Sequence, residues 1–274
     1  MIRKMMKNPS AVVGFTLLTV ILLLVLVGPF LAQSPYKQNI LQRRQVPSAQ
    51  HLLGTDEFGR DVLSRVLTGG RYTLLSGICS VILGLIGGML FGALGGFYGG
   101  VFDRALMTIC DILLAFPSVL MAMAITMVLG PGVFTPMVAV GISSTPIFAR
   151  LVRAQFMSLR DSSYIEAARS AGAGDPRLIF RHLLPNSIGP IITQATLRIG
   201  SSIILAATLS FLGLGAQPPT PEWGAMLNAA RSSIWDAPHL AVIPGLAITF
   251  TVVAVNLIGD ALRDYLDPRT RTLS

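Results

Sequence analysis

The sequence predicts an all-α membrane protein with six spanning helices, and three observations carry that prediction. Six apolar stretches are each long enough to cross a bilayer, whose hydrocarbon core is about 30 Å thick. Only 12% of the 274 residues are charged, against 52% hydrophobic, which leaves too little polar surface for a soluble domain, where charged residues make up about 25%. Glycine (27) and proline (17) are abundant, and membrane helices tolerate both because neighbouring groups re-satisfy the freed backbone.

The first stretch, 11–32, follows Arg3, Lys4 and Lys7. It is longer than a signal-peptide core and lacks a small-x-small cleavage site, so it reads as a retained helix. Within the loop over 33–72, Asp61 to Leu75 has an apolar face of Val62, Leu63, Val66 and Leu67. That pattern predicts a segment lying along the membrane surface before it enters. The second stretch, 73–97, opens a stripe of Gly84, Gly88, Gly92, Gly96 and Gly100. Glycines four apart share a drifting helix face and let a neighbouring helix approach closely.

The third stretch, 105–129, contains Asp111, the fourth covers 133–153, and the fifth, 189–214, contains Arg198. A lone charge in hydrocarbon is costly, so each should face a partner or water. Asp111 and Arg198 are expected either to pair or share a hydrated pathway in one state of a cycle, or each to snorkel or meet another chain. Pro117, Pro131, Pro136 and Pro146 punctuate this region and predict bends. The loop 215–239 combines Pro218, Pro219 and Pro221 with a short amphipathic run ending at Trp235, and the last stretch, 240–262, holds Asn256 as a further polar candidate.

The net charge of +8 fits basic loops on the cytoplasmic side rather than a nucleic-acid surface. Arg150, Arg153, Arg160, Arg169, Arg177 and Arg181 cluster around one loop, and the two chain ends are basic as well. Six crossings put all three segments on one face, which assigns both termini to the cytoplasm of an inner-membrane protein. The six basic residues of the 33–72 loop run against the rule, but the rule weakens for long loops. Cys79 and Cys110 lie in apolar runs, and the histidines have no metal-ligand spacing. There is no Gly-x-x-x-x-Gly-Lys-Ser/Thr phosphate loop, nucleophile elbow or zinc motif, so the chain is read as non-catalytic.

The loop over 158–187 is the most specific segment. It predicts two short helices with a break. Ser162 or Ser163 caps the first, with Glu166 in its first turn, and Gly172 and Gly174 end it. Asp175 and Pro176 start the second, and Pro185 stops it near the membrane. Ala167, Ala168 and Ala171 keep one side thin, a shape suited to a groove on another protein.

This segment resembles the EAA loop of ABC importer permeases, with Glu166, Ala167, Ala168, Gly172, Leu184 and Pro185 in register and His182 departing from the family's isoleucine. The runs 51–61, 210–224 and 256–268 are similar to motifs of the dipeptide/oligopeptide/nickel branch, in its "C"-type subunit. The resemblance implies a type I ABC importer permease fold, with an N-terminal helix and external loop over 1–72 and a five-helix core over 73–274. It implies that the EAA loop is a coupling helix seated on an ATPase. It also implies partnership with a second homologous permease, two ATPase subunits that bind ATP and Mg, and an extracytoplasmic binding protein. Cofactors in this chain itself are expected to be none. The expected cargo is a di- or oligopeptide or a glutathione-like peptide, with nickel chelates second. The alternatives are an ion-coupled secondary transporter with Asp111 as proton site, and a membrane-embedded enzyme.

Overall fold

The computed structural model describes residues 8–266. The basic positions Arg3, Lys4, Lys7, Arg269 and Arg271, and the last two residues of the 256–268 run, lie outside them. The described chain is helical: α1 (Pro9–Leu31), α2 (Val62–Tyr98), α3 (Gly100–Ala115), α4 (Ser118–Leu129), α5 (Thr135–Arg160), α6 (Ser163–Ser170), α7 (Leu184–Phe211), α8 (Trp223–Ala230) and α9 (His239–Leu266). One helical turn, Asp175–Arg177, and a π-helical stretch, Leu178–Leu183, lead into α7.

Five long helices have the length and composition of membrane spans, and α3 with α4 make a sixth apolar pair bent by 96°. Packing decides that the bent pair is one crossing. Along α2, Gly84 faces Gly141 and Ser144, Gly88 faces Phe148, and Gly96 faces Phe156 of α5. Rising numbers meet rising numbers, so α2 and α5 run parallel, and the chain between them must return to the starting end. It does so through α3 and α4, and Ala122 of α4 packs with Ala139 and Val140 near the start of α5.

The α2–α5 seam explains the glycine stripe for four of its five members. A Cβ on Gly84, Gly88, Gly92 or Gly96 would run into α5, so hydrogen-only side chains set the close approach. Gly100 is the exception. It has φ +61 and no atom within 4 Å of where its Cβ would be. With Gly99 it breaks the chain between α2 and α3, so it is a hinge residue and not part of the seam.

Two further expectations are corrected. The Asp61–Leu75 segment is not a separate surface helix but the first turns of α2, a helix of 37 residues and about 55 Å. Val62 and Leu74 are buried with Trp223, Met226, Ala237 and Leu240. The apolar face therefore meets the returning 223–240 segment instead of lipid. Pro185 does not stop a helix either. It sits in the first turn of α7, directly after the π stretch, where Leu184 N–H bonds back to Ile179 O. The wider i→i−5 ladder accommodates a residue without an N–H, and the chain continues into the span.

The two ends of the bundle have separate cores. At one end Val25, Val62, Leu74, Ile203, Trp223 and Leu240 pack together. At the other, Phe97, Val152, Phe156, Ile165, Leu178, Leu183 and Ile191 do. Between them the outward faces are apolar and uncovered, as at Leu23, Ile86 and Val128, which suits a lipid solvent.

Candidate functional site

The 158–187 segment stands at one end of the bundle, and each part of its shape has a local cause. Asp161 ends α5 and Ser162 is the N-cap residue of α6. The Ser162 hydroxyl donates back to Leu159 O rather than capping forward. Glu166 lies in the first turn of α6, and Arg169 in the last, each on the favourable side of the helix dipole. The end is a Schellman motif: Ala173 N–H reaches Ala168 O and Gly172 N–H reaches Arg169 O, both at 3.0 Å. Gly172 takes φ +84, a left-handed conformation that glycine adopts at no steric cost.

One side chain ties α6 down. Ile165 is 1% exposed and packs among Phe156, Leu178 and Leu183, with Ala168 and Ala173 against the same cluster. Glu166, Ala167, Arg169, Ser170 and Gly172 face outward. The predicted residues thus divide. Glu166, Ala167 and Gly172 form an exposed ridge, and Ala168 and Leu184 are half-buried supports. Pro185 lies past the π stretch, one residue into α7. Rotation or displacement of α6 would be carried to α5 through Ile165 and to α7 through Leu178 and Leu183.

Two acids of α3 pair with arginines of α5 along one seam. Asp111 of α3 accepts from Arg150 Nη2 of α5 at 2.6 Å, so its partner here is Arg150 and not Arg198. Eight residues earlier, Asp103 accepts from Arg153 Nε and Nη2 at 2.5 and 2.6 Å, a bidentate fork. Arg160 adds a bond from Nη1 to Gly96 O at 3.2 Å. The same α5 that leads into α6 is therefore clamped to the last turn of α2 and to α3. Sequence reasoning missed the Asp103–Arg153 pair. The signal was an acid placed just after a Gly-Gly break and facing a run of arginines.

Arg198 lies mid-way along α7, and its guanidinium has no hydrogen bond, ion pair or ring contact among the described residues. Asn256 of α9 packs its Oδ1 against Gly200, two residues further along α7.

The opposite end is held by polar contacts. Asp56 Oδ2 accepts from Arg60 Nε at 2.6 Å and pairs with Arg65 Nε at 3.3 Å. Arg65 Nη1 reaches Pro35 O and Pro219 O. Asp61 caps α2 through Ser64 N–H at 2.8 Å and takes His51 Nδ1 at 2.9 Å. Glu222 caps α8 and accepts from Thr73 Oγ1 at 2.8 Å. The motif runs 51–61 and 210–224 thus meet in space, with Gly59 packed so closely on Asn39 O that a side chain there has no room.

Comparisons with known proteins agree with this architecture. Residues 75–272 match the family described as "Binding-protein-dependent transport system inner membrane component", and residues 1–47 match "N-terminal TM domain of oligopeptide transport permease C". The chain is 52% identical to the glutathione transport system permease protein GsiD of Pectobacterium atrosepticum, over 82% of this chain and 75% of that one. It is 48% identical to the protein of the same name from Escherichia coli O157:H7, over 98% and 88%. Among solved structures, an inward-facing form of the MetNI methionine ABC transporter superposes with TM-score 0.59 at 18% identity, over 74% of this chain and 96% of that one. An amino acid ABC transporter with histidines gives 0.53 at 15% identity, over 76% and 94%. The two superpositions show a shared fold.

Proposed function

The chain belongs to the family of binding-protein-dependent transport system inner membrane components and is a permease of an ABC importer, and from that premise we propose that it passes small peptides, glutathione-like ones included, as one half of a two-permease pathway. The name borne by its relatives supports the cargo class. The observation that carries the mechanism is the outward ridge of α6, anchored through Ile165 to both α5 and α7.

In this reading Glu166, Ala167 and Gly172 seat in a groove of a separate ATPase subunit, which binds ATP and Mg. α6 and both termini face the cytoplasm, as the basic loop around 150–181 favours. A loaded binding protein docks on the opposite end, over the 33–61 and 212–238 segments. When two ATPases close, α6 moves, α5 and α7 follow, and the spans rock. ATP must bind one arrangement better than the other, since only differential affinity shifts an equilibrium.

A mild-detergent pull-down with mass spectrometry tests the assembly. Co-purification of a second permease, ATPase subunits and a peptide-loaded binding protein is expected. A chain that purifies alone and transports without ATP contradicts the reading and favours ion coupling.

A further inference from the structure

We propose that Arg198 is a binding site for a carboxylate of the transported solute, placed half-way across the membrane. The inference rests on the permease reading and adds a residue and a chemical group to it.

The placement follows from packing around α7. Ile203 faces α2, where it fills the space beside Gly77. Leu197 and Gly200 face α9, against Gly259 and Asn256. Ala206 and Leu209 pack with α4 and α5. One sector of α7 is only partly covered in this chain, and Gln194, Arg198 and Ser201 lie along it at i, i+4 and i+7, the first two half-buried and Ser201 exposed, with Leu205 beside them packed towards α4 and α5. None of the three is buried.

Arg198 is 14 residues past Leu184 and 13 before Phe211, about 20 Å from either end at 1.5 Å per residue. That is too deep for a side chain that snorkels from near a helix end. A guanidinium at that depth needs water or an anion. Asp103 and Asp111 are already taken by Arg153 and Arg150, and Asp260 of α9, next to Gly259 at the level of Leu197, makes no ion pair with Arg198. A sector that carries Gln194, Arg198 and Ser201 beside Leu205 does not suit lipid, so it faces the pathway.

The cargo accounts for the opening. A peptide carries a carboxylate, which a guanidinium holds by two parallel N–H···O bonds. Gln194 and Ser201 supply further polar contacts along the direction of travel. One cationic residue with neutral polar neighbours binds firmly enough to admit the anion and weakly enough to release it, as conduction requires. A permanent acid from a second permease would close this sector, and that is the competing occupant.

The test uses the complete complex in proteoliposomes, with peptide pre-loaded on the binding protein. Uptake per ATP hydrolysed is compared for wild type, Arg198→Gln and Arg198→Lys. Two probes that the binding protein captures are used: a free-acid peptide and the same peptide amidated at its C-terminus. Each is normalised to wild type, so differences in capture cancel. Arg198→Gln should lower free-acid uptake about tenfold, the worth of one charge-assisted contact, while changing the amide less than twofold. Arg198→Lys should keep most free-acid uptake. Equal losses for both probes, wild-type transport of both, or a complex that no longer co-purifies with its second permease would each overturn the proposal. The last would assign Arg198 to the subunit interface. Failure of wild type to transport with ATP would instead overturn the permease reading beneath it.

Discussion

At the scale of single residues, two contacts make the sharpest claims. The Asp103–Arg153 fork holds the start of α3 to α5, with the Asp103 side chain 11% exposed. Removing one partner leaves the other charge stranded, which costs about 3 kcal/mol, whereas removing both costs much less. A double-mutant cycle on thermal stability in detergent, with Asp103→Asn and Arg153→Met, should therefore be strongly non-additive. Additive losses would show that the pair contributes nothing jointly. The second contact is Gly88, whose missing side chain admits Phe148 and Ala149. Gly88→Val should lower the melting temperature markedly or block assembly, because backbone lies on the other side. Gly189→Ala, with open space around it, should leave stability within about 0.5 kcal/mol or raise it slightly. Similar behaviour of the two variants would contradict the seam.

These residues also show what the sequence could tell. The glycine period of four announced a close helix contact but not where the stripe ended. Gly100 keeps the spacing, yet its positive φ makes it a break, and nothing in the spacing marks that change. Asp111 and Arg198 were legible as charges needing partners. Which partner each would take depends on helix azimuth, and Arg150 was counted in sequence as a loop charge at the end of its span.

At the scale of elements, α6 is the part that could be read most directly, because its start, its Schellman end and its exposed ridge are local effects, although the Ser162 hydroxyl turns back to Leu159 O instead of capping it. Ala167→Trp should block docking on that ridge, and Gly172→Trp should in addition strain the left-handed turn. Both should abolish transport while leaving insertion near wild type, as read by expression level, and Ala167→Trp should also keep the wild-type melting temperature. Normal transport by both variants would remove α6 from the coupling path. The elements that resisted reading are those where tertiary structure overrides a local signal. Pro185 looked like a stop, and the preceding π stretch absorbs it. The 62–75 face looked interfacial, and Trp223 covers it, donating from Nε1 to Val66 O at 2.8 Å. Glu222 is part of the same contact, as the α8 cap and the Thr73 acceptor. Glu222→Ala should lower stability by about 2 kcal/mol, combining a lost cap with a lost buried hydrogen bond. Thermal unfolding in detergent reads this, and an unchanged midpoint would count against the contact.

At the scale of the whole molecule, hydropathy alone found the spans, because a bilayer demands uninterrupted apolar helices. It could not tell that the third crossing is two helices at 96°. Pro117 marked a bend without fixing its size. The parallel course of α2 and α5 makes that broken crossing obligatory, and the ion pairs from Asp103 and Asp111 fix one half of it to α5. The molecule then consists of a rigid α2–α5 seam, a charged α3 strapped to it, and α7 hung between the π stretch and α8. Force applied at α6 enters through the shared core of Phe156, Ile165, Leu178 and Leu183, so a single exposed helix can move both sides of a pathway.

The most direct test of that account is solute import into proteoliposomes by the complete complex, with ATP available to its ATPases, measured for wild type and Ala167→Trp. The account predicts import that requires ATP in the wild type. In the variant import is lost, although the complex still inserts and its binding protein still docks. Import that runs on an ion gradient without ATP, or that survives in the variant at the wild-type rate, would contradict it.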